Sequence, residues 1–175
     1  MSMRKTLLFF FSVCWSVAVI AESSPDLGEI ATVDFLEQGR YDVFPDGEGL
    51  PQGSGNATQG EAVYNQHCQT CHGLKGEGGS AEELAGAMHG LTDNPPDKTI
   101  GTYWPYATTL FDFIRRSMPL SAPGSLTDDQ LYAVTAYLLY INHIIKNEDE
   151  ISAKTLPRIT MPNHEGFINV FDGQE

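Results

Sequence analysis

Apolar and polar positions follow a helical period in three stretches of the chain. Leu131, Val134, Leu138, Ile141 and Ile145 recur every three or four residues, which places them on one helix face. Thr127 precedes them as an N-cap, and Asp128, Asp129 and Gln130 follow, with the acids on the positive end of the helix dipole. This predicts a long helix ending near Lys146, where a charged run begins. Leu110, Phe111 and Ile114 predict a second helix over 108–116, stopped by Pro119 because the residue before a proline is pushed out of the helical region. A third begins near Thr58, with Glu61 three residues on in the capping-box pattern, and runs through Ala62, Val63 and Tyr64. Gly60 and Tyr64 lie one turn apart on it, the arrangement expected where a helix crosses Tyr137 of the last helix closely. Residues 73–101 hold many glycines and the pair Pro95-Pro96, and read as loops with one short helix over 82–88. No strand pattern is visible, so the expected fold is small and all-α.

The two ends have a different character. Arg4 and Lys5 precede an uncharged run from Thr6 to Ile20, closed by Val19-Ile20-Ala21 with small residues at the positions a signal peptidase reads. The run is about 15 residues, short of the ~20 that span a bilayer as a helix. Cys14 is followed by Trp15, which disfavours a lipid-attachment site. Residues 1–21 are therefore read as a signal peptide cleaved near Ala21, with an uncleaved anchor as the alternative, and the chain is expected in the periplasm. Residues 22–57 are rich in Gly, Pro and acids and are expected to form an irregular N-terminal arm. Residues 58–146 carry the helices, and 147–175, with Pro157 and Pro162, read as an extended C-terminal tail.

Charge narrows the partners. Without residues 1–21 the chain keeps eight Lys and Arg against 23 Asp and Glu, a formal charge of −15. Such a surface repels phosphate backbones and anionic lipids, which argues against nucleic-acid and membrane-surface roles and favours a partner with a basic docking face.

Only two cysteines remain outside the leader, and they stand two residues apart. Cys68-Gln69-Thr70-Cys71-His72 is C-x-x-C-H, the attachment pattern of c-type haem. Two thiols on one helical turn can each form a thioether to a haem vinyl group, and the next residue carries its imidazole under the porphyrin to bind iron. Composition alone would produce the pattern in roughly one such chain in 700. A thioredoxin-like pair would need a βαβ context, and a zinc site two further ligands at matching spacing; neither is present. The expected cofactor is one covalent haem c, with His72 as one axial ligand of the iron.

The second axial position has several candidates: Met88, Met118, Met161, His89, His143 and His164. Met118 stands 46 residues after His72, in a loop just before the last helix, where a chain wrapped around a haem returns on its other face. It is the favoured ligand, and a thioether there raises the reduction potential. Tyr103, Trp104 and Tyr106 suit the wall of a haem pocket or a hydrogen bond to a propionate, and equally an aromatic core. Arg115 and Arg116 suit propionate neutralisation or a solvated helix face. His67 and His89 are expected at the surface. No catalytic residue is expected on the chain itself. A haem enzyme or gas sensor would need an open iron position, and a freely diffusing electron carrier is the main alternative to a subunit of a complex.

With these residues in place, the chain resembles a class I cytochrome c. More narrowly, it is similar to the cytochrome subunit of periplasmic sulfite and sulfane dehydrogenases of sulfur-oxidising bacteria. The matching segments are residues 45–51, the haem segment 60–79, residues 102–116, Met118-Pro119, residues 126–129 and 132–139, and Met161-Pro162-Asn163. The block 103–116 is more distinctive than the haem motif. The resemblance implies a small all-α fold wrapped around one haem. It also implies a molybdenum-cofactor subunit that oxidises the sulfur compound and passes electrons singly to this chain, for delivery to a downstream cytochrome c or oxidase. Many sulfane dehydrogenase cytochromes carry two haems, whereas this chain has one C-x-x-C-H, so sulfite and sulfane both stay open.

Overall fold

The computed structural model describes residues 32–33 and 42–168. The expected signal peptide and most of the expected arm before residue 42 lie outside the described residues. Residues 42–168 fall in one compact unit, and Thr32 and Val33 belong to a separate N-terminal one. The elements are β1 (Ser54–Gly55), α1 (Ala57–His67), α2 (Gln69–His72), α3 (Ile100–Tyr103), α4 (Ala107–Ser117), α5 (Asp128–Ile141) and β2 (Ile151–Ser152), followed by a 3-10 turn at Leu156–Arg158.

Helix α1 crosses α5 closely, backbone against backbone. Gly60 lies on the Ala133 carbonyl: a Cβ there would overlap that oxygen and stand 2.7 Å from Tyr137 Cβ. One turn on, the Tyr64 ring packs on Tyr137 at 5.0 Å between centroids, tilted by 44°. The crossing expected from Gly60, Tyr64 and Tyr137 is thus present. Helix α4 packs on α5 through Phe111 and Tyr132, 4.7 Å apart and both fully buried. Burying each such side chain contributes about 2 kcal/mol.

Four local expectations change. The cap of α1 is Asn56, not Thr58: its side chain accepts from Gln59 N, and the Gln59 side chain accepts from Asn56 N. This reciprocal box starts the helix earlier than a Thr58–Glu61 pair would. The short helix expected over 82–88 is absent, because its N–H donors are diverted. Leu84 and Ala85 both donate to Gly76 O, and Met88 and His89 both donate to the Asp97 carboxylate. Those two donors hold the Asp97 carboxyl below the usual carboxylate range. Helix α5 ends at Ile141 rather than near Lys146. The Asn142 amide donates to Leu138 O and Leu84 O and accepts from Gly101 N, and His143 leaves the helix in the left-handed region at φ 60°.

The fourth change is a small sheet where no strand was expected. Ser54 pairs with Ser152 and Gly55 with Ile151, antiparallel. Two-residue strands carry no periodic signal, and the pairing joins segments almost a hundred residues apart. Around it, both ends of the unit lie on the helices. Ser54 N donates to Asp129 Oδ1, the Tyr132 hydroxyl to Pro51 O at 2.8 Å, and Val43 N to Asp112 Oδ1. Arg116 bridges Asp42 and Asp112. From the other end Ile151, Leu156 and Met161 are buried in the core.

Gly60→Ala is expected to destabilise the folded protein by about 3 kcal/mol, since the overlap is with backbone and cannot be relieved by a side-chain rotation; chemical denaturation of the purified holoprotein measures it. Burial, reinforced by Asp128, pushes the Tyr132 hydroxyl up to about 12. A raised folded value means the stabilisation is fully present below the unfolded value near 10 and is lost as pH rises towards 12. Tyr132→Phe is therefore expected to lessen the fall in melting temperature across that interval, at the cost of about 1 kcal/mol at neutral pH from the lost hydrogen bond.

Candidate haem site

The C-x-x-C-H segment sits where α1 turns into α2. Cys68 is at once the C-cap of α1 and the N-cap of α2, its N–H bonded to Tyr64 O at 2.8 Å. Cys71 N and His72 N both donate back to Cys68 O, closing one tight turn that holds both thiols and the imidazole. Gly73 ends α2 at φ +83°, a conformation suited to glycine, and its carbonyl accepts from the buried Tyr64 hydroxyl at 2.8 Å. The following loop folds back: Gly78 N donates to His72 O and Ala81 N to Cys71 O.

His72 Nδ1 lies 2.9 Å from Glu82 O. With the ring proton on Nδ1 for that contact, Nε2 keeps its lone pair, the arrangement seen in metal-binding histidines fixed by a carbonyl. Burial first, and Cys71 second, push the Cys68 thiol up to about 11. A nucleophilic redox cysteine needs the opposite shift, so Cys68 is not itself an activated thiol.

Cys68, Cys71 and His72 form one edge of a cavity of about 270 Å³. Met118 is on its lining, delivered by the end of α4, where Met118 N closes the helix onto Ile114 O at 2.9 Å. Leu110 and Ile114 from α4 and Val134 and Leu138 from α5 supply apolar walls. Among the described residues, no carboxylate and no Lys or Arg lines the cavity. This is a fit test for a flat, largely apolar ring tethered by sulfur, and the residues pass it: two thiols on one turn, an imidazole with a free Nε2, a thioether, and greasy walls. A zinc centre fails the same test, since no group of three or more His, Cys, Asp or Glu is gathered among the described residues.

Of the four residues expected to wall the pocket, Trp104 lines it, packed edge-on against Phe113 at 5.6 Å. Tyr103, Tyr106 and Arg115 are not on the lining. Tyr103 lies against Phe167, with Lys98 Nζ 5.5 Å from its ring centre; Tyr106 faces a second cleft beside Arg158 and His164; Arg115 borders a groove with Pro123 and Gly124. Among the other axial candidates, Met161 is buried in the core and is not on the cavity lining, Met88 is 87% exposed, and His89, His143 and His164 do not line it. His67, expected at the surface, is on the cavity rim, as are Phe113 and Leu120. Phe113 was legible in principle, three residues beyond Leu110 on the same helix, but Phe111 carries the stronger core signal. No helix among the described residues is long and apolar enough to cross a membrane.

The family model for cytochrome c matches residues 57–142. The fold is similar to a chain in the crystal structure of the sulfane dehydrogenase SoxCD from Paracoccus pantotrophus, at 38% sequence identity and a TM-score of 0.76, covering 87% of this chain and 76% of that one. Over 88 residues, half of this chain, it is 32% identical to the thiosulfate dehydrogenase of Stutzerimonas stutzeri (strain A1501), and that stretch spans 28% of the relative's length.

Met118→Ala in the holoprotein is expected to abolish the weak near-infrared methionine–iron band and lower the reduction potential. Met161→Ala is expected to leave the band in place while costing about 2–5 kcal/mol of stability, the effect of truncating a core methionine. Near-infrared absorbance and denaturation of the two variants distinguish these outcomes.

Proposed function

The chain belongs to the cytochrome c family, and from that premise we propose that it is the haem-bearing electron-transfer subunit of a periplasmic, molybdenum-dependent dehydrogenase of sulfite or sulfane sulfur. The observation that carries the reading is the likeness to a chain of sulfane dehydrogenase SoxCD at 38% identity over most of both chains. It is joined to a C-x-x-C-H set on the edge of an apolar cavity.

In this reading Cys68 and Cys71 would hold one haem c through thioethers, and His72 and Met118 would bind its iron. A haem so held supplies one-electron exchange between Fe(III) and Fe(II). The chain's own residues bind, orient and insulate. Glu82 O fixes the His72 ring. Leu110, Ile114, Val134 and Leu138 keep water out, and with the thioether ligand this favours the neutral reduced site and so a higher potential. Trp104 closes one wall. No residue of the chain is assigned a step on the sulfur compound; that chemistry belongs to the molybdenum subunit, and electrons leave to a downstream cytochrome c or oxidase. Export through cleavage near Ala21 puts the chain in the compartment where such thioethers are made, and residues 58–146 form its cytochrome domain. The acidic surface suits a basic docking face on the partner.

A freely diffusing carrier is the second reading. It is favoured by the way residues 42–55 and 151–164 lie on the chain's own helices, because segments packed at home need no partner to order them.

Protein purified from the periplasm of the native cell is expected to elute with a molybdenum-containing subunit. Association of the separated subunits is expected to slow steeply as salt rises from about 0.01 to 0.15 M, as screening shortens from about 30 to 8 Å. A lone, monomeric cytochrome in ultracentrifugation would instead establish the carrier.

A further inference from the structure

The segment that brings Trp104 to the cavity is held by the Trp104–Phe113 contact with α4 and also from outside its own helices. It is the short junction Trp104-Pro105-Tyr106 that follows Tyr103, the last residue of α3, and leads into α4. Trp104 and Tyr106 have extended backbone, φ −73° and ψ 124° at Trp104 and φ −136° and ψ 135° at Tyr106. Trp104 lines the cavity, whereas Tyr103 and Tyr106 do not and instead meet the C-terminal segment of the chain.

That segment takes hold of the junction at each of those positions. The Asn163 amide donates to Tyr103 O at 2.7 Å, the last carbonyl of α3, which has no partner within so short a helix. His164 Nδ1 lies 3.4 Å from Pro105 O, and its ring stands edge-on to Tyr106 at 5.2 Å. Tyr106 forms an antiparallel bridge with Thr160, and Phe167 packs edge-on against Tyr103 at 5.5 Å. The segment itself is anchored, for Met161 is 1% exposed and Gly166 N closes a turn onto Asn163 O. Gly166 has no room for a Cβ against the Asn163 side chain, so the amide is confined where it meets Tyr103.

We propose that residues 160–167 form a strap whose Asn163 is a positioning residue for the haem site: by holding Tyr103 O it fixes the junction and sets how closely Trp104 closes the cavity wall. The inference rests on the haem reading above and adds to it a role for a segment that contributes no residue to the cavity lining. Its consequence concerns the reduction potential. Loosening Trp104 admits water beside the site; water stabilises the charged Fe(III) state over the neutral Fe(II) state, and the potential falls.

The test is a double-mutant cycle on the holoprotein, read by redox titration and the haem absorbance bands. Asn163→Ala is expected to lower the midpoint potential by up to about 59 mV, a tenfold rise in the Fe(III)/Fe(II) ratio at fixed potential. Trp104→Phe is expected to lower it also. The double variant is expected to fall no further than Trp104→Phe alone, because one substitution acts through the other. Phe167→Ala, at a half-exposed position that folding tolerates, is expected to show the same dependence with a smaller shift. Potentials unchanged by Asn163→Ala and Phe167→Ala, or shifts that add fully to that of Trp104→Phe, overturn the strap, even if stability falls. A wild-type protein without haem absorbance overturns the proposed function and takes this inference with it, so the two failures are distinguishable.

Discussion

The contact between Gly60 and the Ala133 carbonyl sets the distance between α1 and α5, and the position of the haem motif depends on it. Cys68 begins two turns after Gly60, and Val134 and Leu138 line the cavity from the same face of α5 that α1 crosses. A larger residue at position 60 would lift the end of α1, and with it both thiols and His72, away from the walls they share with α4 and α5. Tyr64 reinforces this from within the same crossing, its ring on Tyr137 and its hydroxyl on Gly73 O, directly past the motif. A backbone contact between two helices thus fixes the geometry of a site two turns further along.

The chemistry of the cavity follows from what is kept out of it. The chain is strongly acidic, yet among the described residues no carboxylate is on the lining, and Glu77, just past the motif, accepts instead from Lys75 N. Charge is left for the surface, where it acts at a distance on partners, and the interior is left to dispersion and exclusion of water. An apolar shell around a redox centre disfavours the charged oxidised state. The fold places that shell, the imidazole and the thioether together from three separate elements, α2, α4 and α5.

Much of this was legible in the sequence, and the parts that were not share a cause. The helices α4 and α5 follow from apolar spacing and from Thr127, whose capping box with Gln130 is present. The Gly60–Tyr64–Tyr137 crossing follows from a small residue one turn from an aromatic. Cys68, Cys71, His72 and Met118 were singled out by motif and position, and the structure brings them to one cavity. What spacing could not reveal is where donors go once the chain has folded. Asp97 captures the N–H groups of a segment with helical composition, and Asn142 ends α5 four residues before its apolar pattern runs out. The two-residue sheet and the strap at 160–167 rest on partners 54 to 98 residues away. Tyr103, Tyr106 and Arg115 are not on the cavity lining, because Tyr103 and Tyr106 meet the C-terminal segment and Arg115 borders another groove, contacts that composition does not reveal.

The claim on which the rest stands is that Cys68 and Cys71 carry a haem through thioether bonds. It is tested most directly by the intact mass of the exported protein, made in a cell that matures c-type cytochromes, followed by mass analysis of its proteolytic peptides. The account predicts one haem mass above that of the polypeptide, found whole on the peptide holding Cys68 and Cys71. A mass equal to that of the amino acids alone, with both cysteines free to alkylate, would contradict it.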